Sequence, residues 1–177
     1  TGSERMKQRP IRVLVEALNR LGARIGYLEN EGFPPLEIYG SRLVGGSIDI
    51  PASVSSQYIS ALLMIAPYME KGLEIRLTGK VVSSSYIDMT LQIMREFGAE
   101  VGREDTVIGV KPGEYRSVPY RVESDWSAAS YFYELLAIAG EGEIILTGLK
   151  EKSMQGDSRQ IVVWRKLGVR TCYEGDL

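Results

Sequence analysis

Ser53-Val54-Ser55-Ser56-Gln57, running into the apolar stretch Tyr58 to Ala66, is the part of the chain from which the rest can be read. Ile59, Leu62, Leu63 and Ala66 recur at helical spacing, which sets three hydroxyls and an amide at a helix N-terminus. The first amides of a helix have no partner inside it, so this end is a socket for an anion. The plainer reading is that a serine here only caps the helix. Ser47 to Ile50 precedes the cluster as a strand, and Leu73-Glu74-Ile75-Arg76-Leu77 alternates as another beyond the helix. Strand, helix, strand is the start of an α/β building block.

Working outward in the N-terminal direction, residues 10–22 begin with proline and stop at Gly22. Ile11, Leu14, Val15, Leu18 and Leu21 share one face, which predicts an amphipathic helix with Pro10 at its first position. Ala23 to Tyr27 and Leu36 to Tyr39 alternate as strands about a turn at Asn30-Glu31-Gly32-Phe33-Pro34-Pro35. In the other direction a turn at Thr78-Gly79 leads through a polar loop to a helix from about Tyr86 to Phe97, closed by Gly98.

The same order returns further on. Glu143-Ile144-Ile145-Leu146 predicts a strand, Thr147-Gly148 a turn, and a polar loop reaches Asp157. A helix carrying Ile161 and Trp164 then ends at Leu167-Gly168. Gly79 and Gly148 stand 69 positions apart, and the helix-ending Gly98 and Gly168 stand 70 apart. Agreement over several landmarks predicts a repeated βαβαββ unit that buries its sheet only against sister units. Thr1-Gly2 fits the same frame, so the chain reads as starting inside one unit and ending soon after the helix of a third. Lys111 to Pro119, with two prolines, is the expected crossing between two groups of units.

Bulk composition sets outer bounds. The chain has 177 residues, 44% apolar and 25% charged, with a net charge of -2, which disfavours a polyanion-binding surface and makes any phosphate recognition local. The one cysteine, Cys172, read as a strand residue, allows no internal disulfide and suits a reducing cytoplasmic setting. No run is long enough to span a bilayer, and residues 1–5 lack an apolar signal core. Histidine is absent, so an acid or base must be a carboxylate, lysine, tyrosine or cysteine.

Each unit places a polar loop between its Thr-Gly turn and the next helix. These loops hold Arg5, Lys7 and Arg9; Ser83, Ser84, Ser85 and Tyr86; and Ser153, Gln155 and Asp157. Cations, hydroxyls and a carboxylate together suit a phosphorylated, polyhydroxylated anion and a proton transfer. Against this stand a solvated cationic run at Arg5 to Arg9 and capping roles for Ser83 to Ser85 and for Asp157. Asp125-Trp126-Ser127-Ala128-Ala129-Ser130 stands to its helix as Ser53 to Gln57 does to the earlier one, mainly as a cap.

Four of these segments, Met6-Lys7-Gln8-Arg9-Pro10-Ile11, Ser53 to Gln57, Ser83-Ser84-Ser85-Tyr86-Ile87-Asp88 and Ser153-Met154-Gln155-Gly156-Asp157, closely resemble the motifs of the 5-enolpyruvylshikimate-3-phosphate synthase family, in order and with similar spacing. The resemblance implies two domains of an inside-out α/β barrel type, with residues 1–122 in the first, 123–177 in the second, only part of each present, and the active site in the cleft between them. It implies transfer of the enolpyruvyl group of phosphoenolpyruvate to the 5-hydroxyl of shikimate 3-phosphate by addition and elimination, without metal or cofactor. Residue by residue, Ser55, Ser56 and Ser83 would hold the 3-phosphate, with Tyr86 lining that site. Gln57 would lie between the two substrates, Arg9 would bind phosphoenolpyruvate, and Asp157 would accept the proton of the 5-hydroxyl.

The chain departs from the family where Ser84-Ser85 replaces a frequent Lys-Pro and where Lys152 replaces a frequent Asn. The family also draws lysines and arginines from segments with no counterpart here, so a chain of this length is expected to be inactive alone. The complete protein is expected to be a cytoplasmic monomer acting on small molecules, with neither nucleic acid nor membrane as partner. Two alternatives stand beside this. One is the sister family that transfers enolpyruvyl to UDP-N-acetylglucosamine, whose usual cysteine is absent from residues 1–9. The other is a non-catalytic phosphate-binding module of the same fold, with no need of Asp157.

Overall fold

The computed structural model describes residues 2–79 and 84–174. Two units, Thr1–Val118 and Pro119–Leu177, each carry their own apolar core. The first unit opens with the single-turn helix α1 (Glu4–Lys7) and the amphipathic helix α2 (Arg12–Arg20). Pro10 is not its first residue, contrary to the expectation from sequence. The Ile11 amide donates to the Gly32 carbonyl at 2.8 Å and Ile11 has φ -129°, so the helical path begins only at Arg12. Gly22 ends it with φ +107°, where a side chain would press on the backbone of Arg42 and Val44 at 3.2–3.3 Å.

Strands β1 (Arg24–Tyr27) and β2 (Leu36–Tyr39) pair antiparallel as a separate two-stranded sheet. The chain continues through β3 (Gly46–Pro51), α3 (Ser56–Ile65), β4 (Leu73–Thr78), α4 (Ser85–Glu96), β5 (Val101–Glu104) and β6 (Val107–Val110). These strands form one sheet in the order β3-β4-β6-β5. β3 and β4 are parallel, from Gly46 opposite Leu73 to Pro51 opposite Thr78, and the remaining pairs are antiparallel.

Alternation explains the layering. Leu73, Ile75 and Leu77 of β4 are buried, whereas Arg76 faces solvent and pairs with Glu74 at 2.7 Å. The buried face is covered by α3, through Ile59, Leu62 and Leu63, and by α4, through Ile87, Leu91 and Met94. These spacings of three and four place each set on one helical stripe. Leu63 has no exposed surface, so its truncation to alanine would cost about 2–5 kcal/mol. The helices lie side by side, with Ser60 Oγ and Thr90 Oγ1 2.8 Å apart. Each follows one of two parallel neighbouring strands, so both begin at the carboxyl ends of those strands.

Beyond the sheet, Tyr115 packs edge-on to Tyr68 and its hydroxyl donates to the Met64 carbonyl at 2.9 Å. Burial, with Tyr68 nearby, pushes the Tyr115 phenol above its ordinary range.

In the second unit α5 (Trp126–Ala139) is capped by Asp125, whose carboxylate accepts from the Ser127 amide at 2.8 Å, and ends at the left-handed Gly140. A 3₁₀ turn at Gly156–Arg159 leads into α6 (Gln160–Lys166), which closes at Leu167-Gly168. Trp126, Ala129, Tyr133 and Val169 form the core, with Trp164 stacked on Tyr133 at 6.0 Å. The strand expected at Glu143 to Leu146 is not formed, nor does Cys172 lie in one. A strand needs a neighbour to complete its ladder, and no other part of the described second unit offers one; Ile145 is 80% exposed. No helix among the described residues is long and apolar enough to cross a membrane.

Candidate functional site

Two polar sites can be built from the residues upward, one in each unit. In the first unit the turn after β3 delivers the serine cluster to the start of α3. The Ala52 amide still donates to the Thr78 carbonyl at 2.8 Å, and the Val54 amide then turns back on the Pro51 carbonyl at 3.0 Å. Ser55 is the N-cap, its Oγ accepting from the Gln57 amide at 3.3 Å. Ser55 and Gln57 are exposed and Ser56 half-buried.

Tyr58, one turn into α3, extends its hydroxyl to the Pro10 carbonyl at 2.5 Å. This bond ties the helix start to the segment carrying Arg9. The cations of that segment differ in what they touch. Lys7 is engaged by Glu4 at 3.3 Å and Glu29 at 3.8 Å, and Arg12 by Glu31 at 2.9 Å. Arg9 is exposed, and its guanidinium has no ion pair or hydrogen bond among the described residues. A guanidinium left open beside a serine-capped helix start can grip a carboxylate or phosphate through two parallel bonds.

Tyr86 stands in the first turn of α4, 52% exposed, and its carbonyl accepts from Thr90 Oγ1 at 2.8 Å. Ser84 donates to Asp88 at 2.7 Å, and Asp88 in turn pairs with Arg103 at 2.5 Å, so Ser84 serves the helix start. Ser83, expected beside Ser55 and Ser56, lies outside the described residues.

The second site is at the start of α5. Glu123 accepts from Trp126 Nε1 and the Lys150 amide, each at 2.9 Å, on one oxygen and from Ser153 Oγ at 2.9 Å on the other. Ser153 Oγ accepts the Gln155 amide at 3.0 Å. The Gln155 side chain accepts from the Trp126 amide at 2.9 Å and donates to the Ser124 carbonyl at 2.8 Å. Gln160 donates to the Trp126 carbonyl at 2.5 Å and accepts from Trp164 Nε1 at 2.8 Å. The loop is thus fastened to α5 on both sides of Asp157, and the exposed Asp157 carboxylate accepts from Ser127 Oγ at 2.7 Å through Oδ2.

Three contributors escaped the reading of the sequence. Tyr58 counted there only as part of an apolar run, Ser127 as a cap, and Glu123 not at all. Each acts on a partner 27 to 48 residues away, which local spacing does not reveal. An open cavity of about 810 Å³ in the second unit, walled by Trp126, Leu136, Ile144, Leu146 and Val169, does not include Asp157 or Ser127 in its lining. Its walls are one face of α5 and the extended segments 121–123, 142–150 and 169–174.

Comparison with known proteins covers nearly the whole chain. Residues 1–176 match the family model described as EPSP synthase (3-phosphoshikimate 1-carboxyvinyltransferase). A 3-phosphoshikimate 1-carboxyvinyltransferase of Bacteroides fragilis is 55% identical over 174 residues, 98% of this chain and 42% of the relative. The enzyme of the same name from Mannheimia haemolytica is 44% identical over 180 residues, 99% of this chain and 41% of the relative. The solved EPSP synthase of Acinetobacter baumannii superposes with a TM-score of 0.64 at 27% identity, over 78% of this chain and 30% of that one. The chain spans about two fifths of the length of the curated relatives it matches. A match along residues 1–176 establishes that the chain belongs to the EPSP synthase (3-phosphoshikimate 1-carboxyvinyltransferase) family.

Proposed function

We propose that this chain supplies part of the substrate surface and the proton acceptor of an enzyme that joins phosphoenolpyruvate to shikimate 3-phosphate. Ser55, Ser56 and Ser83 hold the 3-phosphate, Tyr86 lines it, and Gln57 reaches both substrates. Arg9 takes the carboxylate or phosphate of phosphoenolpyruvate. The hydroxyl oxygen at position 5 adds to the vinyl carbon bearing the phosphate while the terminal carbon gains a proton. Asp157 accepts the hydroxyl proton, and elimination then removes a proton from the methyl carbon as the bond to phosphate breaks, which releases phosphate and restores the double bond. Segments beyond those present here complete the enzyme. The same reading takes the βαβαββ order of β3 to β6 as one of several repeated units in an inside-out α/β arrangement of two domains. It also takes the complete protein to be a cytoplasmic monomer.

The observation that carries this reading is the open Arg9 guanidinium tied, through Pro10 and Tyr58, to the serine-capped start of α3. The relatives named above carry the shikimate-pathway name, so the UDP-N-acetylglucosamine alternative is not favoured. The test is phosphate release by the full-length protein with both substrates, beside calorimetric titration of each substrate with and without the other. Release that depends on both, with coupled binding, is expected. Binding of shikimate 3-phosphate with neither coupling nor turnover would reduce the protein to a phosphate-binding module.

A further inference from the structure

We propose that Ser60 and Thr90 are positioning residues that hold the starts of α3 and α4 in register, so that Ser56 and Tyr86 face one anion. This rests on reading Ser55, Ser56 and Tyr86 as part of the 3-phosphate site. The two hydroxyls lie 2.8 Å apart and make the one hydrogen bond between α3 and α4 among the described residues. The rest of the contact is apolar, Ile59, Leu62 and Leu63 of one helix sharing a core with Ile87, Leu91 and Met94 of the other. Apolar burial is non-directional, so it holds the helices together and sets only loosely how far one slides along the other. A half-buried hydroxyl pair at their contact sets it closely, because a hydrogen bond weakens steeply with distance and angle.

Ser60 stands four residues after Ser56, and Thr90 four after Tyr86. That spacing puts each couple on one helical face, one turn apart. Both helices start at the carboxyl ends of the parallel strands β3 and β4 and run back in the same direction. Where Ser60 meets Thr90, the faces bearing Ser56 and Tyr86 therefore meet one turn nearer the helix starts, where the free amides are. The order of the protons follows. Thr90 Oγ1 gives its single proton to the Tyr86 carbonyl at 2.8 Å, so Ser60 Oγ is the donor in the bond between the helices. Ser60, Thr90 and the Tyr86 backbone thus form one chain of bonds, and loss of either hydroxyl frees α3 from the residue that lines the site. Neither hydroxyl is needed to start a helix, because Ser55 caps α3 and the Ser84 hydroxyl at the start of α4 is engaged by Asp88. Their removal should leave both helices formed and loosen the register between them.

The experiment uses the full-length enzyme and the variants Ser60→Ala, Ser60→Thr, Thr90→Val, the Ser60→Ala/Thr90→Val pair and Ser56→Ala. Calorimetric titration with shikimate 3-phosphate alone is the main readout, beside thermal midpoints and the KM for phosphoenolpyruvate. In Ser60→Ala the Kd for shikimate 3-phosphate is expected to rise about three- to tenfold, the scale of one lost neutral hydrogen bond, with the KM for phosphoenolpyruvate within error of the parent. Alanine is the best helix former, so the fold is kept. Ser60→Thr, which retains a hydroxyl, keeps most of the affinity. Thr90→Val, which retains the branched side chain without its hydroxyl, weakens binding as much as Ser60→Ala, and the pair no more than either alone, since both remove the same bond. Unchanged affinity in Ser56→Ala would remove the reading of the phosphate site, and this proposal with it. A loss in Ser56→Ala with unchanged affinity in Ser60→Ala and Thr90→Val would overturn the present inference alone. The same would follow from a lowered thermal midpoint with affinity kept, from a threonine that gives no rescue, or from losses that add in the double variant.

Discussion

Replacement of Tyr58 by phenylalanine tests whether the bond between α3 and the Arg9 segment serves ligand binding. The change removes one oxygen and leaves the ring in place, so packing of the half-buried side chain is kept. What is lost is a hydrogen bond between a phenol and the Pro10 carbonyl, 48 residues away. A neutral bond contributes a net 0.5–1.5 kcal/mol or so. Pro10 is exposed, so its carbonyl regains water and the cost falls at the lower end, about 0.5–1 kcal/mol. If that bond holds Arg9 in its binding position, the loss appears in the affinity for phosphoenolpyruvate as a factor of roughly two to five. The assay is the initial rate of phosphate release by the full-length enzyme across phosphoenolpyruvate concentrations at saturating shikimate 3-phosphate. Shikimate 3-phosphate affinity, measured by calorimetry without the second substrate, should stay within error. An unchanged KM for phosphoenolpyruvate together with a lowered thermal midpoint would refute the reasoning, since the bond would then serve the fold alone.

Arg9→Ala should weaken phosphoenolpyruvate by about 1.5–3 kcal/mol, the value of a hydrogen-bonded charge, read as a higher KM with shikimate 3-phosphate binding retained. Asp157→Asn preserves shape and removes proton acceptance, so kcat in the full-length enzyme should drop roughly 100-fold or more while shikimate 3-phosphate still binds by calorimetry. Tyr115→Phe should reshape alkaline stability. The Tyr115 phenol is raised by burial, so its neutral form contributes fully below the unfolded value near 10 and that contribution is lost as pH climbs from there toward the folded value. Denaturant midpoints measured between pH 8 and 11 should therefore fall less steeply in the phenylalanine variant, which starts lower by about 1 kcal/mol for the lost bond to Met64.

Much of the first unit could be read from the chain because its signals are periodic and local. The spacing of Ile59, Leu62 and Leu63 marks a helix, the alternation of Leu73 to Leu77 a strand, and Gly22 a stop, and all three stand in the structure. Pro10 misled because the cross-link from Ile11 to Gly32 overrides the usual preference of proline for the first turn. Glu143 to Leu146 misled because alternation states which face is apolar and not whether a neighbouring strand exists. The residues proposed for the site that carry charge or clustered hydroxyls, Arg9, Ser55, Ser56, Gln57 and Asp157, were visible by type. The bonds that Tyr58 and Ser127 make to Pro10 and Asp157 were not, since a hydroxyl aimed at a carbonyl or carboxylate far along the chain leaves no spacing to detect.

The unequal cores of the two units carry a consequence for how the chain opens. The first buries a continuous cluster from Ala17 to Val110, spread over three helices and a four-stranded sheet. The second buries Trp126, Ala129, Tyr133 and Val169, and leaves Tyr131, Leu135 and Ile138 of α5 in contact with water. Sub-global opening follows the apolar contacts that must be broken, so α5 amides should exchange with deuterium well before those of α3 and β4. Limited proteolysis of this chain should accordingly cut first beyond Pro119 and leave the first unit as the resistant product, with the loop that bears Asp157 among the earliest parts to be lost.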